Sequence, residues 1–256
     1  MTALDAVILF ALGAIGSGIN AVAGGGSLVT FPTLTLGLGL TEKVANATSS
    51  VGLFPGSIAG GIGFANQLGR TKRFIKPLVA PSVLGSIGGA LLLLNTSDRA
   101  FAVAVPFLIL TAAVLLLLQP KIRQWAGRHE GEAVLSLKAG LVIQTLVGVY
   151  GGYFGAGMGI MMLAAFSLYM EGTVHEINAV KNWLGLAING ACSVVFLLDG
   201  VARWHFSIVM VLGSLVGGYY AARISQRLDP NRLRGVIGIA GLVMSAYYFY
   251  RAFSSR

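Results

Sequence analysis

Lys181 is the residue with most chemistry to offer, because it stands about one turn into a membrane helix predicted from the sequence. A charged side chain there costs free energy, and intramembrane ionisable groups mark binding sites or ion paths unless they snorkel to the headgroups. Both readings are open for Lys181, whose shallow depth lets the ammonium reach the cytoplasmic surface. Asn178, Asn182, Gly185 and Asn189 follow helical spacing and form one stripe of small and polar residues, with Lys181, Gly185 and Cys192 beside it. Such stripes either glue helices or line a path. In the first half of the chain Thr48, Ser49 and Ser50 fall where Val180, Lys181 and Asn182 stand in the second. Their hydroxyls either donate to an anion or bond back to the helix backbone.

The second chemical element is a glycine run. GSGINAVAGGGSLVTFPTLTLG (Gly16–Gly37) sits within an uncharged stretch from Ala6 to Thr41, yet holds Gly24, Gly25 and Gly26 in succession. Each glycine costs a helix roughly 1 kcal/mol against alanine, so a plain membrane anchor would not carry three. The run predicts two short half-helices joined by an unwound hinge, with Ser27 near the start of the second. Backbone opened inside a bilayer must be buried in protein or line a watery cavity. Free N–H groups at a half-helix start suit an anion. Gly25, Gly26 and Ser27 are the expected donors, and Asn20, about one turn earlier, adds a neutral hydrogen-bonding side chain. Close helix packing through small residues is the competing explanation.

The pattern occurs twice. VGVYGGYFGAGMGIMML (residues 147–163) places Gly148 on Gly16 at an offset of 132, and Gly157 and Gly159 on Gly24 and Gly26 at 133. Asn46-Ala47 then falls on Asn178-Ala179, and VLGSIGG (Val83–Gly89) on VLGSLVGG (Val211–Gly218). Interrupted apolar segments at matching positions of two halves point to a transporter's binding site. The candidate substrate-binding set is therefore Asn20, Gly25, Gly26, Ser27, Thr48, Ser49, Gly157, Gly159, Lys181 and Asn182.

These residues need a scaffold, and composition specifies its solvent. The chain is 55% hydrophobic and 11% charged, with a mean hydropathy of +0.80, against about 25% charged for a soluble domain. It is a multi-spanning membrane protein. The net charge of +9 sits in short loops between apolar runs. That is the pattern of topology signals facing anionic lipid rather than of nucleic-acid binding. One cysteine and three scattered histidines give neither a disulfide nor metal-ligand spacing. HExxH, GxSxG and P-loop motifs are absent, and GGGS is followed by no GK[ST], so no catalytic residue, cofactor or metal is expected. Ala21-Val22-Ala23 imitates a signal-peptide cleavage site, but only Asp5 precedes the apolar run and the glycine pattern recurs mid-chain.

Six uncharged stretches suit one helix each, whereas Ala6–Thr41 and Ala139–Met170 suit hairpins. Loops 69–76, 120–138 and 223–234 are rich in Lys and Arg and belong in the cytoplasm; loops 95–99 and 199–205 are poorer and belong outside. Counting passes puts both termini outside. The expected fold is an all-α integral membrane protein of two inverted-topology repeats, each a glycine-hinged helical hairpin plus three transmembrane helices. The first repeat covers 1–119, a cytoplasmic linker 120–133 and the second repeat 134–256. The glycine boxes Gly56-x3-Gly60, Gly213-x3-Gly217 and Gly85-x2-Gly88-Gly89 read as helix packing. Tyr150, Tyr153 and Phe154 read as core, and Trp125, Trp204, Tyr247 and Tyr248 as an interfacial aromatic belt.

GSGINAVAGGGSLVTFPTLTLGLG with ANATS, and GVYGGYFGAGMGI with INAVKN and LGSLVGGYYAARIS, resemble the sulfite exporter TauE/SafE (TSUP) family over nearly the whole chain. The resemblance implies a bacterial-type inner-membrane permease for sulfite, sulfoacetate, related sulfonates or thiosulfate. Met158 interrupts what is often a full glycine triplet and no proline matches Pro32, so the two hinges are not expected to be equivalent. The leading reading is a secondary transporter exporting a small sulfur anion by alternating access; a passive anion channel is the alternative, and an enzyme is not expected. Expected partners are the anion and the lipid bilayer, with a homodimer left open and no nucleic acid.

Overall fold

The computed structural model of the chain describes residues 1–22, 25–63, 68–128, 135–224 and 230–254. Gly24, part of the predicted hinge, and positions 129–133 of the predicted linker, with position 134, lie outside the described residues. So do Arg227 and Arg256. The described residues are helical, with no strand among them. The first half holds α1 (Ala3–Val22), α2 (Ser27–Pro32), α3 (Glu42–Gly63), α4 (Lys72–Asn95) and α5 (Asp98–Arg128). The second holds α6 (Leu137–Tyr153), α7 (Met158–Tyr169), α8 (Val174–Asp199), α9 (Trp204–Ile224) and α10 (Pro230–Ser254). Each half is thus a long helix, a short one and three long ones, in the same order. α5 continues through Pro120 to Arg128, into the segment expected to be linker.

Among the described residues, five helices are long and apolar enough to cross a membrane. α1 is one of them, which corrects the expectation of two half-helices. At 1.5 Å per residue its 20 residues reach about 30 Å, the thickness of a bilayer core, so the first arm of the hairpin is full length. Only the second arm is short. The reason is local: the glycines end α1 rather than interrupt it, and Pro32 then removes an N–H from α2. Past Pro32 the chain widens into a π-helical turn, Thr33–Gly37, closed by Leu38 N–H donating to the Thr33 carbonyl. Thr33 and Thr35 hydroxyls donate back to carbonyls of the preceding turn, Thr33 Oγ1 to the Val29 oxygen at 2.9 Å and Thr35 Oγ1 to the Pro32 oxygen at 3.0 Å.

The hinges also differ, as the broken triplet predicts. Gly26 is right-handed helical, with φ −58° and ψ −34°. Gly155 and Gly157 take left-handed φ values of +80° and +78°, a region glycine enters at little cost.

The halves pack by exchanging partners. α1 lies along α9 while its counterpart α6 lies along α4; α3 touches α9 as α8 touches α4. α3 also meets α8, and α5 meets α10, each an element against its own counterpart. Glycine boxes make both long contacts. Backbone carbonyls of Phe10 and Ala14 on α1 lie where side chains of Gly213 and Gly217 would stand. Those of Thr145 and Val149 on α6 do the same against Gly85 and Gly89. This is the small-residue packing expected of helices in lipid, where close van der Waals approach replaces a hydrophobic drive.

Charges gather at the two ends of the bundle. At one end Lys43 pairs with Asp98 at 3.5 Å and Arg251 with Glu42 at 3.5 Å, joining the starts of α3 and α5 to the end of α10. At the other, Arg73 pairs with Glu171 at 2.7 Å and the Arg70 N–H donates to Glu176 Oε1 at 3.0 Å, joining the α3–α4 turn to the start of α8. Thr173 and Glu176 form a capping box that opens α8 there.

Candidate functional site

The residues for the site come from five helices, α1, α2, α3, α7 and α8, and from the turn between α6 and α7. α3 and α8 pack against each other, and residues at the breaks between α1 and α2 and between α6 and α7 join them around one space. A cavity of about 80 Å³ lies at this junction, room for a few waters or one small anion. Asn20, Ser27, Gly159, Lys181 and Asn182 line it, so five of the ten predicted residues converge, drawn from both halves.

Lys181 is buried at 7% exposure. Its stem passes the first turn of α7: a Cβ built on Gly159 would meet Lys181 Cδ at 3.4 Å and Nζ at 4.0 Å. Gly159 thus stands against the lysine stem, at a distance where a methyl would make ordinary contact. Asn182, on the next position of α8, has its Nδ2 buried with no hydrogen-bond partner among the described residues. A buried amide donor without an acceptor is costly and rare, and here it belongs to a cavity-lining side chain. Asp and Glu are absent from the lining, so it carries a formal positive charge from Lys181.

The other five predicted residues stand outside the lining, and each has an identifiable task. Gly26 donates its N–H to Asn20 Oδ1 at 2.7 Å, so this expected anion donor is spent inside the hinge. Gly25 faces the opposite way: a Cβ there would lie 3.2 Å from Leu116 of α5. Gly157 supplies a left-handed turn against Ala112. Thr48 Oγ1 accepts from the Arg203 N–H at 3.0 Å, which ties the α8–α9 turn to α3. Ser49 Oγ shares a hydrogen bond of 2.6 Å with Thr30 Oγ1, which ties α2 to α3.

Ser17 and Ser57, which sequence reasoning passed over, line the cavity together with Asn189 of the polar stripe, with Phe154, read as core, and with Ser50, whose hydroxyl bonds back to the Asn46 carbonyl at 2.9 Å. The signal for α3 was one residue away. Ser50, the counterpart of Asn182, faces inward, whereas Ser49, the counterpart of Lys181, faces α2; Ser50 with Leu53 and Ser57 keeps helical spacing. Tyr248 corrects the aromatic-belt expectation, since it is buried at 2% exposure. Its hydroxyl bonds Thr35 and its ring packs on Phe31 at 5.9 Å, while Trp204 and Tyr247 are exposed. The side chain of Trp125 lies outside the described residues.

The family model described as Sulfite exporter TauE/SafE matches residues 9–248. This chain belongs to the TauE/SafE family. A probable membrane transporter protein of Haemophilus influenzae is 29% identical over 244 residues, covering 95% of this chain and 94% of the relative. Probable membrane transporter protein YfcA of Escherichia coli K12 is 27% identical over 243 residues, covering 95% and 89%. Probable membrane transporter protein YunE of Bacillus subtilis is 23% identical over 273 residues, covering 97% and 99%. No solved structure matches the chain. The TauE/SafE protein is thus a multi-pass membrane transporter rather than an enzyme, and its cavity is where the two halves offer polar groups inside an apolar bundle.

Proposed function

We propose that this protein exports a small sulfur-containing anion, such as sulfite, sulfoacetate or a related organosulfonate, across the bacterial inner membrane as a secondary transporter. The observation that carries the reading is that buried Lys181 and Asn182, whose Nδ2 has no hydrogen-bond partner among the described residues, line one cavity with no carboxylate among its lining residues. Moving an anion out of water costs several kcal/mol even with good partners. One buried cation with aligned donors offsets part of that cost, and Asn20, Ser27 and Asn189 add neutral hydrogen-bonding groups.

Alternating access is supported by the exchange of packing partners, which gathers α1, α3 and α9 into one bundle and α4, α6 and α8 into another, the two-bundle arrangement that rocking around a central site requires. The inverted arrangement draws support from the ion pairs that gather the α3 start and the α10 end on one face. An aromatic layer favours a carrier over an open channel: Phe154, which lines the cavity, stacks edge-on against Phe31 at 5.6 Å, and Phe31 meets Tyr248. Direct binding of sulfite, sulfate, thiosulfate and sulfoacetate to purified wild type and Lys181→Gln tests the site. Equal affinity in both proteins overturns it.

A further inference from the structure

A second pocket, of about 350 Å³, opens where α3 and α5 start and α10 ends, and Arg99, Arg251, Glu42, Tyr248 and Ala252 line it. Its electrostatics are lopsided. Glu42 is pinned, its side chain 17% exposed and 3.5 Å from Arg251, whose own side chain is 52% exposed. Arg99, on the first turn of α5, brings a second guanidinium against this one carboxylate, so the pocket carries a formal net charge of one positive. Guanidinium forks match planar and tetrahedral oxyanions by paired N–H donors.

A chain of ring contacts links this pocket to the central cavity: Tyr248 lines the pocket, Phe31 packs on Tyr248, and Phe154, which packs on Phe31, lines the cavity. At the repeat's offset of 133, Phe31 and Phe154 fall on Ala164 and Ala21, so these two rings have no aromatic counterpart at the matching positions.

We infer that the Arg99–Arg251 pocket is a second anion station, a vestibule that holds the sulfonate or sulfite group of the transported molecule at the far end of the Tyr248–Phe31–Phe154 ring contacts. The inference rests on the proposed transport of such anions. In it, Glu42 limits affinity: by pairing with Arg251 it keeps the station weak enough for release.

The test reads the vestibule without transport. Ala252→Cys in a Cys192→Ala background places one thiol in the pocket, to be labelled with an anionic and with a cationic methanethiosulfonate reagent. The expected anionic-to-cationic rate ratio falls about tenfold with Arg99→Gln or Arg251→Gln, rises with Glu42→Gln, and is restored by Arg99→Lys. Sulfoacetate should protect the thiol from the anionic reagent, and protection should persist in Lys181→Gln while failing in Arg99→Gln. A fall in the ratio with Glu42→Gln, or no protection by sulfoacetate, overturns the vestibule. Protection that follows phosphatidylglycerol in the vesicles rather than sulfoacetate also overturns it, in favour of a lipid headgroup. Failure of the central site shows separately, as unchanged sulfoacetate affinity in Lys181→Gln.

Discussion

The Gly26 N–H donates to Asn20 Oδ1 across 2.7 Å, and this one bond ties the end of α1 to the start of α2. It makes Asn20 both a hinge clasp and a cavity wall. The two roles separate by substitution. Asn20→Ala leaves a part-buried N–H without its acceptor and should cost about 1–3 kcal/mol in stability. Asn20→Asp keeps an acceptor and should melt close to wild type in detergent, yet lose anion affinity at least tenfold, because it sets a negative charge in the cavity. Thermal melts and binding on the same samples check both.

Lys181→Gln should weaken anion binding at least tenfold, corresponding to about 1.4 kcal/mol. Lys181→Arg should recover part of the affinity, since charge is kept while shape changes. Isothermal titration of purified variants decides. A lysine that serves only packing would leave the dissociation constant where it was.

The glycines of the two hinges should respond differently. A methyl at Gly26 would strike the Gly16 carbonyl, which is backbone and cannot swing aside. Gly26→Ala should therefore lower the yield of folded protein. A methyl at Gly159 makes ordinary contact, 3.4 Å from Lys181 Cδ, so Gly159→Ala should fold normally and bind anion more weakly by filling the cavity. Gly25→Leu should act through crowding of Leu116, and a suppressing Leu116→Ala should restore transport. Size-exclusion profiles alongside uptake assays distinguish these outcomes.

The Thr30–Ser49 bond is buried on both sides. Thr30→Val strands the Ser49 hydroxyl and should cost about 1–3 kcal/mol, Ser49→Ala leaves Thr30 Oγ1 its bond to the Gly26 carbonyl at 3.4 Å and should cost less, and the pair together should cost less than the sum. A double-mutant cycle on detergent melting temperatures measures the coupling. If α2 is held elsewhere, the two effects add.

Orientation is testable with the same cysteine-free background. Glu171→Cys and Arg251→Cys should be labelled by an impermeant reagent from opposite sides of the membrane, Arg251→Cys from outside. Labelling of both from one side breaks the inverted count.

The sequence by itself determined the solvent, the order of the elements, and the place where the glycines end a helix. Those follow from local rules: apolar length against bilayer thickness, charge in loops, and glycine where a helix must stop. It also identified Lys181 and Asn182, because a charge inside an apolar run is conspicuous whatever surrounds it.

Only the tertiary structure decided which neighbours share the site. A helix turns 100° per residue, so Ser49 and Ser50 look alike in a motif but face α2 and the cavity respectively. Likewise Gly25 and Gly26 are equivalent as letters. Their surroundings, Leu116 on one side and Asn20 with Gly16 on the other, come from segments far apart or folded back in the chain. Tyr248 shows the same limit. Its position near a helix end suggests an interface, but Thr35, 213 residues away, supplies its hydroxyl partner and Phe31 covers its ring. Partners set by the packing of distant helices leave no local spacing to read, and the cavity is built almost entirely from such partners.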